Sequence, residues 1–213
     1  MFSWTDVDEL RSAARAVRGF RGELRPEFQA VAAFAIGFAE FLGGGYEEAG
    51  VELQRALELA TPVGAWIIVT DALGISAQVA LMQIRTQDAE ALALRSVDQA
   101  HTHGLLDLPR VGYYLATLGA ALARSGRLEE GDDLLEAGTG QLTDVAPLLA
   151  GHARLMRAPV RRQLGDMDGA RALLDQAKFL LAQCASTGII GGLVPQMARP
   201  CRPPTAAARI GPI

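Results

Sequence analysis

Three histidines are the residues of this chain best suited to metal binding or proton transfer. His101 and His103 are separated by one residue, so on a helix their side chains diverge, and no third ligand is near in sequence. We interpret them as residues at the C-terminal end of a helix, where the helix dipole favours positive charge. His152 stands alone in an apolar stretch and is interpreted as a core or groove residue, not as a catalytic base.

The acidic pairs and glycine runs do not form a catalytic arrangement. The pairs at 47–48, 129–130 and 132–133 begin predicted helices, where carboxylates complement the N-terminal dipole. Gly43–Gly45 has no dinucleotide-binding spacing, and the sequence contains neither a P-loop nor a G-x-S-x-G serine motif. The basic pair at 161–162 is typical of a solvated face. The sequence therefore predicts a non-enzymatic protein without catalytic residues, bound metal or cofactor.

The composition predicts an all-helical chain, so these residues are expected on helices or in the turns between helices. The 213 residues include 37 Ala and 29 Leu, which are strong helix formers. The net charge of −4 excludes direct nucleic-acid binding by the chain as a whole. The use of 19 Arg against one Lys, without any Asn, indicates a GC-rich bacterial genome.

Membrane insertion and secretion are both disfavoured by the sequence. The apolar stretch 63–84 carries a single charge, Asp71, whose cost in a bilayer favours a buried helix over a membrane span. Two cysteines, Cys184 and Cys201, are too few for a disulfide framework. The N-terminus resembles no signal peptide. These features predict a cytoplasmic protein without membrane contact.

An internal repeat gives the chain its organisation. A Gly, several polar or acidic residues and a small residue recur before helix-like runs, and a weaker copy has Ile84 at the Gly position. Gly ends a helix by adopting positive φ, and the small residue lets antiparallel helices approach closely. The small residues lie 40, 42 and 39 positions apart, at Ala49, Ala89, Gly131 and Ala170.

Proline supplies an independent period. Pro26, Pro62, Pro109 and Pro147 each precede an apolar run, and proline is favoured in the first turn of a helix. The prolines alternate with the glycine junctions, which predicts stacked helical hairpins. The predicted helices cover 5–18, with Thr5 or Asp6 as N-cap, then 26–42 with 46–60, 63–84 with 88–102, 108–125 with 128–139, and 146–164 with 167–184. Pro159 is expected to kink or break the helix that contains it.

This pattern resembles tetratricopeptide (TPR) repeats, with a period of ~40 residues in place of 34. Hairpins of this length, and above all the stretch Arg161–Ala177, resemble the sensor region of MalT-type LuxR-family transcriptional regulators. The resemblance implies an all-α, antiparallel helical-hairpin solenoid of about four TPR-like repeats over residues 1–184. It also implies a sensor segment without its ATPase and helix-turn-helix parts, because no residues match those motifs. Residues 185–213, which hold five of the ten prolines, are predicted to form a Pro/Ala-rich, largely flexible tail. Ile189, Ile190, Leu193 and Val194 are the residues of this tail that could dock on the last hairpin.

The first helix of each hairpin lines the concave face of a TPR stack, and this spacing identifies candidate groove residues. A protein, a peptide or a small effector is the expected ligand, and the ends of the stack are where self-association would occur. A stripe of Phe34, Phe38 and Phe41 is interpreted as core in preference to groove. Two functions stay open: an effector-sensing module related to LuxR-type regulators, and a free-standing TPR adaptor unrelated to transcription. The candidate groove residues are Asp71, Gln78, Met82, Tyr113, Arg124, His152 and Arg162.

Overall fold

A computed structural model describes residues 7–19, 25–142 and 146–197. The described residues form ten α-helices and no strand. The predicted N-cap at Thr5 or Asp6, as well as Cys201, lies outside them. The helices are α1 Val7–Arg18, α2 Pro26–Gly43, α3 Tyr46–Ala60, α4 Trp66–Met82, α5 Thr86–Thr102, α6 Pro109–Arg124, α7 Leu128–Gln141, α8 Pro147–Gln163, α9 Met167–Leu181 and α10 Gly188–Met197.

Eight of these helices form four antiparallel hairpins, α2/α3, α4/α5, α6/α7 and α8/α9, and α1 packs on α2. We call the first helix of each hairpin the A helix and the second the B helix. Successive A helices contact one another. Each B helix packs on its own A helix, and α3, α5 and α7 also pack on the A helix of the next hairpin. The A helices are therefore the inner layer of the stack. The predicted all-α hairpin solenoid is confirmed.

The B helices bury one narrow stripe, and this stripe repeats in register. Its positions follow i, i+4, i+7 and i+11, which is one face of an α-helix. All members are buried except Leu174, which is half-buried. They are Ala49, Leu53, Ala56 and Ala60 on α3; Ala89, Ala93, Ser96 and Ala100 on α5; Gly131, Leu135, Gly138 and Leu142 on or next to α7; and Ala170, Leu174, Ala177 and Leu181 on α9.

The predicted glycine junctions adopt the conformation that ends a helix. Gly44, Gly126 and Gly165 have φ of 83°, 91° and 88°, a region that costs glycine little. Ile84 occupies the same place between α4 and α5 with φ of 61°, and no other non-glycine residue has positive φ in the described parts of the chain. The hairpin geometry therefore imposes the left-handed turn even where the sequence lacks glycine.

Hairpin three is packed closely enough to bring its two backbones into contact. A Cβ on Gly119 of α6 would lie 2.5 Å from the carbonyl oxygen of Gly131 on α7, and Gly112 and Gly138 face each other in the same way. Real Cβ atoms do not approach carbonyl oxygens so closely. The small residue predicted early in the B helix thus permits close helix packing, as expected.

Pro62 acts differently from the prediction, and Pro159 does not break its helix, so only a kink at Pro159 stays a prediction. Pro26, Pro109 and Pro147 lie in the first turn of α2, α6 and α8. Pro62 instead lies in a turn with Gly64 at φ of 68°, so α4 begins three residues later than predicted. Pro159 does not end α8, which runs on to Gln163.

The C-terminal segment agrees with the prediction in one respect and departs from it in another. Ile189, Ile190, Leu193 and Val194 pack against the core beside the last hairpin, as expected. The first part of the expected flexible tail forms α10, which contacts α2, α8 and α9. Its three glycines and internal Pro195 disfavour a helix, so the sequence did not predict one here. Residues 198–213 lie outside the described residues, and the domain boundary at 184 stays a prediction. No described helix combines the length and the apolar character that crossing a membrane requires.

Candidate functional site: the inner face of the A helices

The seven candidate groove residues all lie on A helices, but the structure does not bring them together in an open groove. Asp71, Gln78, Tyr113 and His152 are buried, with exposures of 0–2%. Twelve of the 17 residues of α4 and twelve of the 16 of α6 are buried, against four of 17 in the B helix α5. The central A helices are thus enclosed around most of their circumference. Contact of the seven residues with a ligand stays a prediction.

Asp71 is a buried carboxylate between α4 and α6, paired with the buried Tyr114 and the half-exposed Arg110. Its carboxylate accepts hydrogen bonds of 2.7 Å from the Tyr114 hydroxyl and 2.7 Å from the Arg110 guanidinium. Burial raises the pKa of Asp71 above its ordinary value, although Arg110 and Tyr114 oppose the shift. The pKa of Tyr114 is raised as well, by burial and by the Asp71 charge. These three side chains join two neighbouring hairpins.

Gln78 links three A helices. Its amide nitrogen lies 2.6 Å from the Thr117 hydroxyl on α6 and 3.2 Å from the Met156 sulfur on α8. The Thr117 hydroxyl donates in turn to the carbonyl of Tyr113, at 2.7 Å. A side chain of hairpin two thus contacts hairpin four directly. This contact shows how tightly the inner face curves.

Tyr113 and His152 join α6 to α8. The Tyr113 hydroxyl lies 2.7 Å from Nδ1 of His152, and both side chains are buried. Burial lowers the pKa of His152 to about 4, and the charge of Arg124 acts in the same direction. Burial raises the pKa of Tyr113. At neutral pH the pair is an uncharged imidazole bonded to an uncharged phenol, and this bond holds α6 to α8.

The remaining candidates lie at the ends of the A helices. Arg124 donates to the carbonyl of Leu81 at 2.6 Å, which also accepts from the backbone N–H of Ile84, and so ties the end of α6 to the last turn of α4. Met82 packs half-buried against the core, and Arg162 is half-buried on α8. The aromatic stripe belongs to the core, as favoured: Phe34, Phe38 and Phe41 stack with centroids 6.1 and 6.4 Å apart.

Asp132, which the sequence predicts to complement the dipole of α7, also forms ion pairs with the next hairpin. Asp132 at the start of α7 is buried, and its carboxylate accepts two hydrogen bonds from Arg157 of α8, at 2.9 and 3.0 Å. Arg161 donates a third at 3.0 Å. Burial alone would raise the pKa of Asp132, but the two guanidinium groups hold it below its ordinary value. Arg161 is therefore an inter-hairpin partner as well as a surface residue.

The histidine pair also acquires a contact that spacing could not predict. The His103 ring stacks on Trp66 with centroids 4.1 Å apart and an interplanar angle of 7°. The contact joins the end of α5 to the start of α4. Within residues 7–19, 25–142 and 146–197, no group of three or more His, Cys, Asp or Glu residues is placed to hold a metal ion.

Two surfaces are visible only in the structure, apart from the docking on the last hairpin that the sequence predicted for Ile189, Ile190, Leu193 and Val194. An open groove of about 670 Å³ lies between α3, α4 and α5, with Leu57, Leu73 and Leu92 among its lining residues and Arg95 and Asp98 at its wall. The second is the surface covered by α10, where Ile190 is fully buried. No sequence motif marks the groove, whose lining residues come from three consecutive helices. The second surface joins α2 to α8 and α9, which are distant in sequence.

The helical-hairpin architecture has counterparts among solved structures. The Rap conjugation gene regulator of plasmid pLS20, solved with the Phr* peptide, superposes with a TM-score of 0.68 at 12% identity, over 83% of this chain and 48% of that chain. BtubC from P. vanneervenii gives 0.58 at 15%, over 83% and 72%. A putative kinesin light chain of Podosopora anserina with nearly identical TPR-like repeats gives 0.50 at 16%, over 83% and 85%.

The fold is that of the TPR-like helical-repeat proteins. Identities of 12–16% establish the shared fold and nothing beyond it. The chain spans about half the length of the Rap regulator and 63% of the related RapI. No protein-family model matches the chain, and no curated protein sequence matches it.

Proposed function

We propose that this chain is a non-enzymatic, cytoplasmic interaction module that binds a protein or peptide at the inner face of its TPR-like stack. One observation carries the proposal: the A helices α2 and α8, together with the B helix α9, already bind a short apolar helix, α10. A surface that buries Ile190 completely is suited to a peptide of similar character. The structural neighbour solved with the Phr* peptide supports the same mode of action.

Site-specific photo-cross-linking tests the proposal. A photoreactive amino acid is placed at Met82 on an A helix, at Gln54 in the α3–α5 groove, or at the exposed Leu94 on α5. Each full-length variant is irradiated in the source cells. We expect an adduct with one protein or peptide from Met82 and none from Leu94. Adducts that form from Gln54 or Leu94 but not from Met82 would contradict binding at the inner face.

A more specific role in transcription regulation rests on a separate similarity. The stretch Arg161–Ala177 resembles the last repeat of MalT-type LuxR-family sensors, and the Rap neighbour is a gene regulator by its own description. We propose that the bound partner or effector controls transcription in a bacterial cell. The identity of the cross-linked partner distinguishes this role from that of an adaptor. A DNA-binding protein or a signalling peptide supports regulation, whereas a subunit of an unrelated assembly supports the adaptor.

A further inference from the structure

The helix α10 is poorly suited to exist without its neighbours. Its sequence, Gly188–Met197, contains three glycines and Pro195, the two residue types least favourable in a helix. It carries no charged residue and has only ten residues, a length that is marginal for an isolated helix in water. The helical state of α10 therefore depends on the surface against which it packs.

That surface is built from both ends of the stack. The helix α10 contacts α2 of the first hairpin, together with α8 and α9 of the last. Ile190 is fully buried, and Ile189, Leu193 and Val194 pack half-buried against the core. These four aliphatic side chains lie within six residues, at i, i+1, i+4 and i+5, and so form one apolar face.

Glycine permits the close approach of α10 to α2. Gly188 has φ of 52°, and a Cβ at this position would overlap the carbonyl oxygen of Leu42. Ile189 lies against Gly44, the glycine that ends α2. We define the α10-binding surface as the end of α2 at Leu42–Gly44 together with the sides of α8 and α9 that contact α10.

We propose that the α10-binding surface is the recognition site for a short, uncharged, apolar helix of a partner, and that α10 occupies it as a replaceable internal ligand. The inference rests on the proposed function and specifies its partner class: a helix with aliphatic residues at i, i+1, i+4 and i+5. The surface supplies the apolar burial, whereas α10 contributes little helix-forming tendency of its own. A partner helix that has these aliphatic residues, and stronger helix formers than α10 at its other positions, competes with α10 for the same surface.

Two glycines in α10 offer a matched pair of substitutions. Gly188→Ala introduces a Cβ against the α2 backbone and disfavours docking. Gly192→Ala places a Cβ where nothing lies within 4 Å and replaces a poor helix former by the best one, so it strengthens docking. Both variants change α10 alone and leave the α10-binding surface intact.

The experiment titrates a fluorescent peptide of residues 186–197, N-acetylated and C-amidated, against the full-length chain. We expect Gly188→Ala to bind the peptide at least ~10-fold more tightly than the wild type, because its own α10 competes less. We expect Gly192→Ala to bind it several-fold more weakly. A peptide carrying Ile190→Asp serves as the negative control, since it places a charge at the fully buried position. Circular dichroism confirms that each protein variant is folded.

Three results would overturn the proposal. Equal affinity of the three proteins for the peptide would show that α10 does not compete with it. Absence of binding to a folded Gly188→Ala variant would make α10 a permanent cap. A Gly188→Ala dimer that the peptide does not dissociate would assign the surface to a second copy of the chain.

Two further comparisons keep the test decisive. Should Gly188→Ala unfold, full-length Ile190→Asp replaces it, because that substitution also weakens docking from the α10 side alone. The cross-linking at Met82 is independent of the peptide. A failure of peptide exchange together with an adduct at Met82 would therefore reject the replaceable helix while leaving the proposed function standing.

Discussion

The hydroxyl of Tyr113 on α6 lies 2.7 Å from Nδ1 of His152 on α8, and neither side chain reaches solvent. The bond joins hairpins three and four across the inner face. Burial lowers the pKa of His152 to about 4, so the imidazole in this bond is uncharged at neutral pH. Because the buried imidazole is harder to protonate than that of the unfolded chain, it makes the free energy of unfolding depend on pH.

We expect stability to fall as the pH decreases from about 6.5, the pKa of an unfolded histidine, to about 4, the pKa of His152 in the folded chain. In this window the unfolded state binds more protons than the folded state, so acid favours unfolding. The loss attributable to His152 approaches about 3 kcal/mol, at about 1.4 kcal/mol for each pKa unit. Urea unfolding of the wild type and of His152→Gln at several pH values isolates the contribution. Equal pH dependence of the two proteins would refute it.

The backbone contact in hairpin three predicts opposite outcomes for two glycines of α7. Gly138→Ala should destabilise the protein by about 2–3 kcal/mol, because its Cβ would overlap the carbonyl oxygen of Gly112. Gly140→Ala meets nothing within 4 Å and should be neutral or stabilising by up to about 1 kcal/mol. Thermal unfolding measures both. Similar melting temperatures for the two variants would argue against the close packing of α6 and α7.

Replacing Ile84 by glycine is expected to increase the stability of the chain. The φ of 61° at Ile84 is strained for a β-branched residue, and its side chain is 82% exposed, so little burial is lost when it is removed. Ile84→Gly should stabilise the chain by about 1 kcal/mol. Ile84→Ala is the control, because it removes the exposed side chain and keeps the penalty for positive φ. The prediction fails if alanine stabilises as much as glycine.

The neighbouring carboxylates of Asp132 and Asp133, at the start of α7, should contribute differently to the free energy of unfolding. Asp132→Asn should cost about 3 kcal/mol, because Arg157 and Arg161 lose the buried carboxylate between them and Arg157 keeps only the exposed Glu136 as an acidic partner. Asp133→Asn changes an exposed residue and should stay within about 0.5 kcal/mol. Chemical unfolding at neutral pH tests the pair. The cost of Asp132→Asn should shrink in acid, since the lowered pKa of Asp132 means that its contribution is lost as the pH falls through that value. A cost independent of pH would contradict the ion pair.

The helical hairpins could be predicted from sequence because local physical chemistry sets their ends. Positive φ at Gly44, Gly126 and Gly165 follows from the absence of a Cβ, and proline in the first turn follows from its missing N–H. The small residues at Ala49, Ala89, Gly131 and Ala170 mark the buried stripe of each B helix. These signals act within one or two helical turns, so a single sequence reveals them.

The inner face was decided by tertiary structure alone. The spacing correctly placed Asp71, Gln78, Tyr113 and His152 on A helices, but their burial depends on how far each hairpin rotates relative to the one before it. That rotation comes from side-chain packing between helices that are about 40 residues apart or more, such as the contact of Gln78 with Met156. The same holds for α10, whose glycines and proline oppose a helix locally. Its helical state arises from burial of Ile190 where α10 packs on the first and last hairpins, a free-energy gain that exists only once the stack has formed.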